Sequence, residues 1–210
     1  MALDIRFADA SELETPARFF AAYAAVSAPR REKVDRLRSA PAKRLSLCAG
    51  LLLAETLRAH GVSPADALPA EGPYGKPFLP RRPDLHFSLS HSGTRAMCAV
   101  SDRPVGCDIQ LCAPQDLRIA ERFFSSEEQA RIFGERDEDA RQRMFFRIWT
   151  LKESFVKCIG LGLAQPLRDF SVIPDGGNIV LQQRHDAGTY VFSEPQVGAG
   201  YACACCVRKS

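Results

Sequence analysis

The sequence predicts an α+β fold built from two similar halves that meet near residue 105. Two observations carry this. Helical periodicity and strand alternation come in the order helices, strands, helices, strands, and a tight apolar strand begins at Val105, directly after a hairpin pattern. We divide the chain into an N-terminal half, 1–104, and a C-terminal half, 105–210. At 210 residues the chain can bury its own core without disulfides or structural metals.

Residues 11–26 read as a helix, with Phe19, Phe20, Tyr23 and Val26 at helical spacing and Ser11 as N-cap. Residues 30–60 open on the charged run Arg30-Arg31-Glu32-Lys33 and turn apolar from Leu45 onward. Pro41 splits them into two helices, and Gly61 ends the second. A Pro- and Gly-rich stretch, 62–84, carries the compact loop Gly72-Pro73-Tyr74-Gly75-Lys76-Pro77. The alternating run His86 to Ser90, the turn at 91–94 and the run Arg95 to Val100 form a hairpin pattern. Val105 to Gln110 is a third strand, helices follow over 115–134 and 138–160, and strands over 168–173, 178–183, 189–193 and 199–207 close the chain.

The net charge of +3 is too small for nucleic acid to be the main partner, but it suits an acidic protein or a polyanionic small molecule. No apolar run is long enough to span a bilayer, and Asp4 and Arg6 interrupt the apolar start, so the expected setting is cytoplasmic and away from membranes. The 8 cysteines lack recurring C-x-x-C spacing and lie in apolar runs. They read as reduced core residues, and the Cys203-Ala204-Cys205-Cys206 cluster reads as a strand.

Four segments could carry chemistry. In the third strand, alternation puts Val105, Cys107 and Ile109 on a core face, with Gly106, Asp108 and Gln110 opposite. The glycine leaves room beside the carboxylate for a ligand, although a half-exposed strand with polar residues facing water has the same pattern. On the helix near residue 150, Trp149, Glu153 and Lys157 share one stripe. Glu153 is partly shielded there and suited to a cation, and an ordinary surface Glu–Lys pair fits the same spacing. Ser90-His91-Ser92-Gly93 offers hydroxyls, an imidazole and exposed backbone N–H groups for phosphate, or is a solvated turn. Gly75-Lys76-Pro77 holds a lysine on a stiff loop without the spacing of a nucleotide-binding P-loop. Together these segments ask for one kind of ligand. Asp108 and Glu153 suit a magnesium ion, which takes one or two carboxylates and completes its shell with water and phosphate oxygens. Lys76, Lys157, His91 and the Arg30–Lys33 run supply charge for a pyrophosphate.

These stretches, in this order, resemble the 4′-phosphopantetheinyl transferases of the surfactin-synthetase-activating type. The matching segments are Tyr74 to Pro77, Phe87 to Gly93, Val105 to Ile109, Arg122 to Ser125 and Trp149 to Lys157 with Gly160 to Leu163. Ser27 to Lys33 and Arg44 add an N-terminal match. The resemblance implies two pseudo-symmetric α/β halves in one chain with the site at their junction. It implies transfer of the phosphopantetheine arm of coenzyme A to a serine of an acyl or peptidyl carrier protein of a fatty acid, polyketide or nonribosomal peptide synthase, with release of 3′,5′-ADP. By that likeness Asp108 and Glu153 bind magnesium, Glu153 activates the serine, and Lys157 and His91 join it as catalytic residues. Lys76, Ser90, His91 and Lys157 hold coenzyme A phosphates, and Arg30, Lys33 and Arg44 contact its 3′-phosphate end. The family's Asp-Ile-Glu reads Asp108-Ile109-Gln110 here, which makes Gln110 a weaker third ligand. The likeness places the carrier surface at Arg118 to Ser126, where Phe123 and Phe124 offer apolar contact or belong to the core. A monomer is expected. A non-catalytic coenzyme A- or carrier-binding module and a metal-dependent phosphodiesterase are the alternatives.

Overall fold

A computed structural model describes residues 3–209. The chain starts with strand β1 (Asp4–Asp9), then a 3-10 turn over Ala10–Leu13 and helices α1 (Pro16–Ala25), α2 (Ala28–Asp35) and α3 (Ala40–Ala59). Two short strands, β2 (Ala70–Glu71) and β3 (Pro77–Phe78), frame the Pro/Gly-rich loop. The hairpin β4 (His86–Ser92) and β5 (Arg95–Ser101) follows, and then β6 (Val105–Leu111). Helices α4 (Ile119–Phe123), α5 (Ser126–Phe133) and α6 (Glu138–Ile159) lead to β7 (Ser171–Asp175), β8 (Asn178–Gln182), β9 (Tyr190–Ser193) and β10 (Tyr201–Arg208).

The predicted hairpin, third strand and long helix are present. Several details differ. β1 was not anticipated: it is six residues long, only half-buried, and held by antiparallel pairing with β5, a partner about ninety residues away that local pattern cannot reveal. Ser11 does not cap a helix. Asp9 accepts from the Ser11 N–H, and α1 is capped by Thr15 just before Pro16. Pro41 lies in the first turn of α3, where its missing N–H costs nothing, behind the N-cap Ser39. The expected helix over 115–134 is two short ones. The second opens on a capping box in which the Ser125 hydroxyl and the Glu128 carboxylate satisfy each other's backbone N–H.

Two three-stranded antiparallel sheets organise the molecule, β1-β5-β4 and β6-β10-β9, and each carries one long helix. On the first, Leu52, Leu53 and Leu57 of α3 pack on Phe87, Cys98 and Val100. On the second, Leu151 and Phe155 of α6 pack on Ala204 and Cys206. The alternate faces of the sheets share a third core, where Met97 and Ala99 of β5 meet Cys107, Ile109, Cys203 and Cys205. Cysteine thus serves as a small apolar residue, and all eight thiols are free. Among the described residues no helix is long and apolar enough to cross a membrane.

β4 and β6 are not joined by a backbone ladder. Ser88, Ser90 and Ser92 alternate along β4 and turn their hydroxyls to the β6 edge, accepting from the N–H groups of Cys107 (3.0 Å), Ile109 (3.3 Å) and Leu111 (3.0 Å). This ladder of side chains sets the two sheets in register and carries the hairpin turn to the edge of β6.

A candidate metal and pyrophosphate site between a strand and a helix

β6 follows the alternation read from its residues. Val105, Cys107 and Ile109 are fully buried between the sheets, and Asp108 points the other way, only 2% exposed. Gly106 does not leave room for a ligand, as its type suggested. A Cβ there would overlap the Ser154 carbonyl and the Cys158 nitrogen, so the glycine lets the α6 backbone lie directly on β6. That contact brings the Glu153 and Lys157 stripe of α6 over Asp108.

Both oxygens of the Asp108 carboxylate accept hydrogen bonds, and Oδ2 keeps room for a further partner. Oδ1 accepts from Lys157 Nζ at 2.6 Å and from the Ser90 hydroxyl at 2.7 Å, and Oδ2 accepts from the Gln110 amide at 3.1 Å. Burial alone would lower the Lys157 ammonium. The charge of Asp108, with help from Cys107 and Glu153, raises it instead. Glu153 is the contrasting group. It is half-buried, and no described side chain donates a hydrogen bond to it. Desolvation and then the negative charge of Asp108 hold its carboxyl above the usual range, against the pull of Lys157. Two carboxylates close enough to oppose each other's ionisation, beside an amide that a half-turn would present oxygen-first, form a donor set that fits magnesium. The described residues contain no group of three or more His, Cys, Asp and Glu that could hold a metal by themselves, so water or substrate oxygens must complete the shell.

Positive charge gathers at the end of the hairpin. His91 stands at an exposed position, yet desolvation by its neighbours and the charges of Lys33, Lys157 and Arg30 keep its imidazole below its usual value. The Arg30 side chain lies across Gly50 of α3, within about 3 Å of where a Cβ would sit, so the guanidinium stem from α2 is seated on the helix beside it. Arg30, Lys33, His91 and Lys157 therefore form one electrostatic group from three elements, α2, β4 and α6. Arg44 stands half-buried in the second turn of α3.

Two residues read as phosphate contacts have other partners. Lys76 donates to the Val105 carbonyl at 3.1 Å and to the Cys158 carbonyl at 2.9 Å, so its ammonium caps the C-terminus of α6 rather than opening into the site. The Ser90 hydroxyl donates to Asp108 and accepts from Ile109 N–H and Lys157, which leaves it steering the carboxylate. Of the apolar pair read as either partner contact or core, Phe124 is core, 3% exposed and stacked on Phe145. Phe123 is half-buried, edge-on to Trp149, with the Arg122 guanidinium over its ring. Arg118 is paired with Asp116.

Sequence reasoning missed the bonding of Ser88 and Ser92 to β6, having read Ser92 as a phosphate contact; the signal is present as serine at every second residue of one strand. It also missed Tyr201, whose hydroxyl accepts from the Thr94 N–H at 3.1 Å and presses on Gly93, tying the hairpin turn to the second sheet.

Comparison with known proteins gives the family. Residues 104–206 match the family model described as the 4′-phosphopantetheinyl transferase superfamily. A 4′-phosphopantetheinyl transferase of Bacillus subtilis is 38% identical over 76% of this chain and 71% of its own length. The 4′-phosphopantetheinyl transferase Sfp of Bacillus subtilis strain 168 is 33% identical over 86% of this chain and 81% of its own. The transferase ffp, also from Bacillus subtilis, is 32% identical over 88% and 83%. With identities above 30% over more than two thirds of both this chain and each relative, the chain belongs to the 4′-phosphopantetheinyl transferase family.

Proposed function

We propose that this protein transfers the 4′-phosphopantetheine group of coenzyme A to a serine of an acyl or peptidyl carrier protein, releases 3′,5′-ADP, and requires magnesium. The observation that carries the reading is the meeting of Asp108 and Glu153, from stretches 45 residues apart in the sequence, with the Lys157 ammonium between strand and helix. The serine oxygen bonds to the β-phosphorus of coenzyme A, the bond from that phosphorus to the bridging oxygen breaks, and the electron pair leaves with 3′,5′-ADP. Glu153 takes the serine proton, directly or through water. A carboxylate whose proton affinity is raised by burial and by a like charge suits that task. Asp108 and Glu153, with Gln110 in a weaker role, would hold the magnesium ion, which supplies charge neutralisation on the pyrophosphate oxygens. Lys157 is positioned to steady charge on the leaving side. Arg30, Lys33 and His91, with Arg44 on the neighbouring helix, face the adenosine 3′-phosphate end. Arg122 and the partly exposed Phe123 are offered to an acidic carrier helix. Eight free thiols support a reducing, cytoplasmic setting, and an internally paired two-sheet body supports a monomer.

The test is mass spectrometry of an apo carrier protein incubated with coenzyme A and magnesium. A gain of one phosphopantetheine per carrier is expected. A carrier left unmodified while coenzyme A binds would make the protein a binding module, and hydrolysis of coenzyme A without transfer would make it a phosphodiesterase.

Gln110 gives a second test. Gln110→Glu adds a negative charge next to Asp108, and the magnesium concentration at half-maximal rate is expected to fall about tenfold, because affinity follows ligand charge. An unchanged magnesium requirement would remove Gln110 from the ligand set.

A further inference from the structure

Lys152 stands beside Glu153 on α6, and its position suggests a second substrate contact. The structure gives it a different task. Its side chain is 0% exposed and so is that of Glu128 on α5. Lys152 Nζ donates to Glu128 Oε1 at 2.6 Å, to Glu128 Oε2 at 2.7 Å and to the Phe170 carbonyl at 2.6 Å, which uses all three ammonium protons. Glu128 also accepts from Ser125 N–H at 2.8 Å and from Val172 N–H at 2.7 Å. The Phe170 ring lies under the ammonium, with its centroid 4.2 Å away. The network thus binds α6, the capping box of α5 and the entry to β7 into one unit, with no atom of the pair open to a ligand.

We infer that Lys152 and Glu128 are positioning residues for Glu153: their buried knot sets the rotation of α6 and so the direction in which the Glu153 carboxylate faces Asp108. This rests on the activity proposed above. Successive helix residues point about 100° apart, so a lock on Lys152 fixes the angle of its neighbour. Stability does not require charge at this place, since a buried ion pair is often replaced by apolar residues of similar volume without loss. What apolar residues cannot reproduce is the set of directional bonds to α5 and to the backbone at Phe170 and Val172. The same knot passes through Ser125, next to the buried Phe124, so the segment that carries Arg122 and Phe123 is joined to the catalytic helix through it.

The test compares Lys152→Met with the double variant Glu128→Leu/Lys152→Met in the full chain. Lys152→Met leaves Glu128 buried without a counter-charge and is expected to melt well below wild type. The double variant is expected to melt above Lys152→Met but below wild type, because the Ser125 and Val172 N–H groups and the Phe170 carbonyl lose their partners, and not to recover the rate. Its kcat for carrier modification should stay about 100-fold down, the effect of a small misplacement at the reacting centre, with KM for coenzyme A unchanged. Its affinity for Mn2+, read by electron paramagnetic resonance without substrate, should fall about tenfold. Wild-type kcat and Mn2+ affinity in a stably folded double variant would overturn the inference and leave the pair a packing element. If the double variant does not fold, Lys152→Arg, which keeps the charge and changes the reach, is judged by the same two readouts. If the wild type itself transfers nothing, the activity reading has failed, and Mn2+ affinity alone decides on the positioning role.

Discussion

Replacing Glu153 with glutamine is expected to slow carrier modification about 1,000-fold at saturating substrate, within the range for loss of a general base. The substitution keeps the shape of the side chain and removes its charge. The fold should be unaffected, because no described hydrogen bond holds the carboxylate in place, and the melting temperature should rise slightly if it moves at all, since the burial of a charge and the repulsion from Asp108, which together raise the Glu153 carboxyl, are both relieved. KM for coenzyme A should change little, because Arg30, Lys33 and His91 remain. The sign of the pH effect follows from the same two causes, burial first and the charge of Asp108 second. Glu153 holds its proton to a higher pH than an ordinary carboxyl, so the wild type loses its base, and one carboxylate of its metal site, sooner as pH falls. The magnesium needed for half-maximal rate should therefore rise on acidification through that range, and this dependence should be absent in Glu153→Gln. Steady-state rates measured over magnesium concentration and pH provide the check. Wild-type kcat in Glu153→Gln would remove the residue from the chemistry.

The second large effect is structural. Gly106→Ala adds one methyl group where β6 and the α6 backbone touch, and nothing flexible is available to yield: the obstructing atoms are the Ser154 carbonyl, the Cys158 nitrogen and the Lys157 carbonyl carbon. The cost should lie at the upper end of overpacking penalties, about 3 kcal/mol, with the melting temperature down by roughly 6–12 °C for a chain of this size. The displaced helix carries Glu153 and Lys157, so activity should fall further than the unfolded fraction explains. Thermal unfolding followed by circular dichroism, with activity measured well below the transition, separates the two effects. A variant as stable as wild type would mean that α6 does not lie on β6 in this way.

Local pattern was sufficient where a residue's neighbours along the chain decide its surroundings. Period-two alternation put Asp108 opposite the buried Cys107 and Ile109, and the four-residue spacing put Glu153 and Lys157 on one stripe. Pattern was silent where the partner comes from far away. The pairing of β1 with β5, the serine hydroxyls that reach from β4 to β6, and the Glu128–Lys152 pair all depend on which elements the fold brings together. Residue type also misled in places. Glycine beside a carboxylate suggested space for a ligand, and the space belongs to a helix. Lysine on a stiff loop suggested a phosphate contact, and Lys76 instead donates to the Val105 carbonyl at the start of β6 and to the Cys158 carbonyl at the end of α6, where orphan acceptors are concentrated. The Phe123–Phe124 pair divides because the helix ends at Phe123 and Phe124 turns to an extended backbone, which sends one ring into the Phe145 and Trp149 cluster and leaves the other at its rim.

The claim on which the account rests is that Asp108 and Glu153 serve one divalent ion between β6 and α6. Titration of Mn2+ into the coenzyme A complex, followed by electron paramagnetic resonance, tests it directly. The account predicts one tight ion per chain in the wild type and its loss in both Asp108→Asn and Glu153→Gln. An ion bound with unchanged affinity in both variants would contradict it.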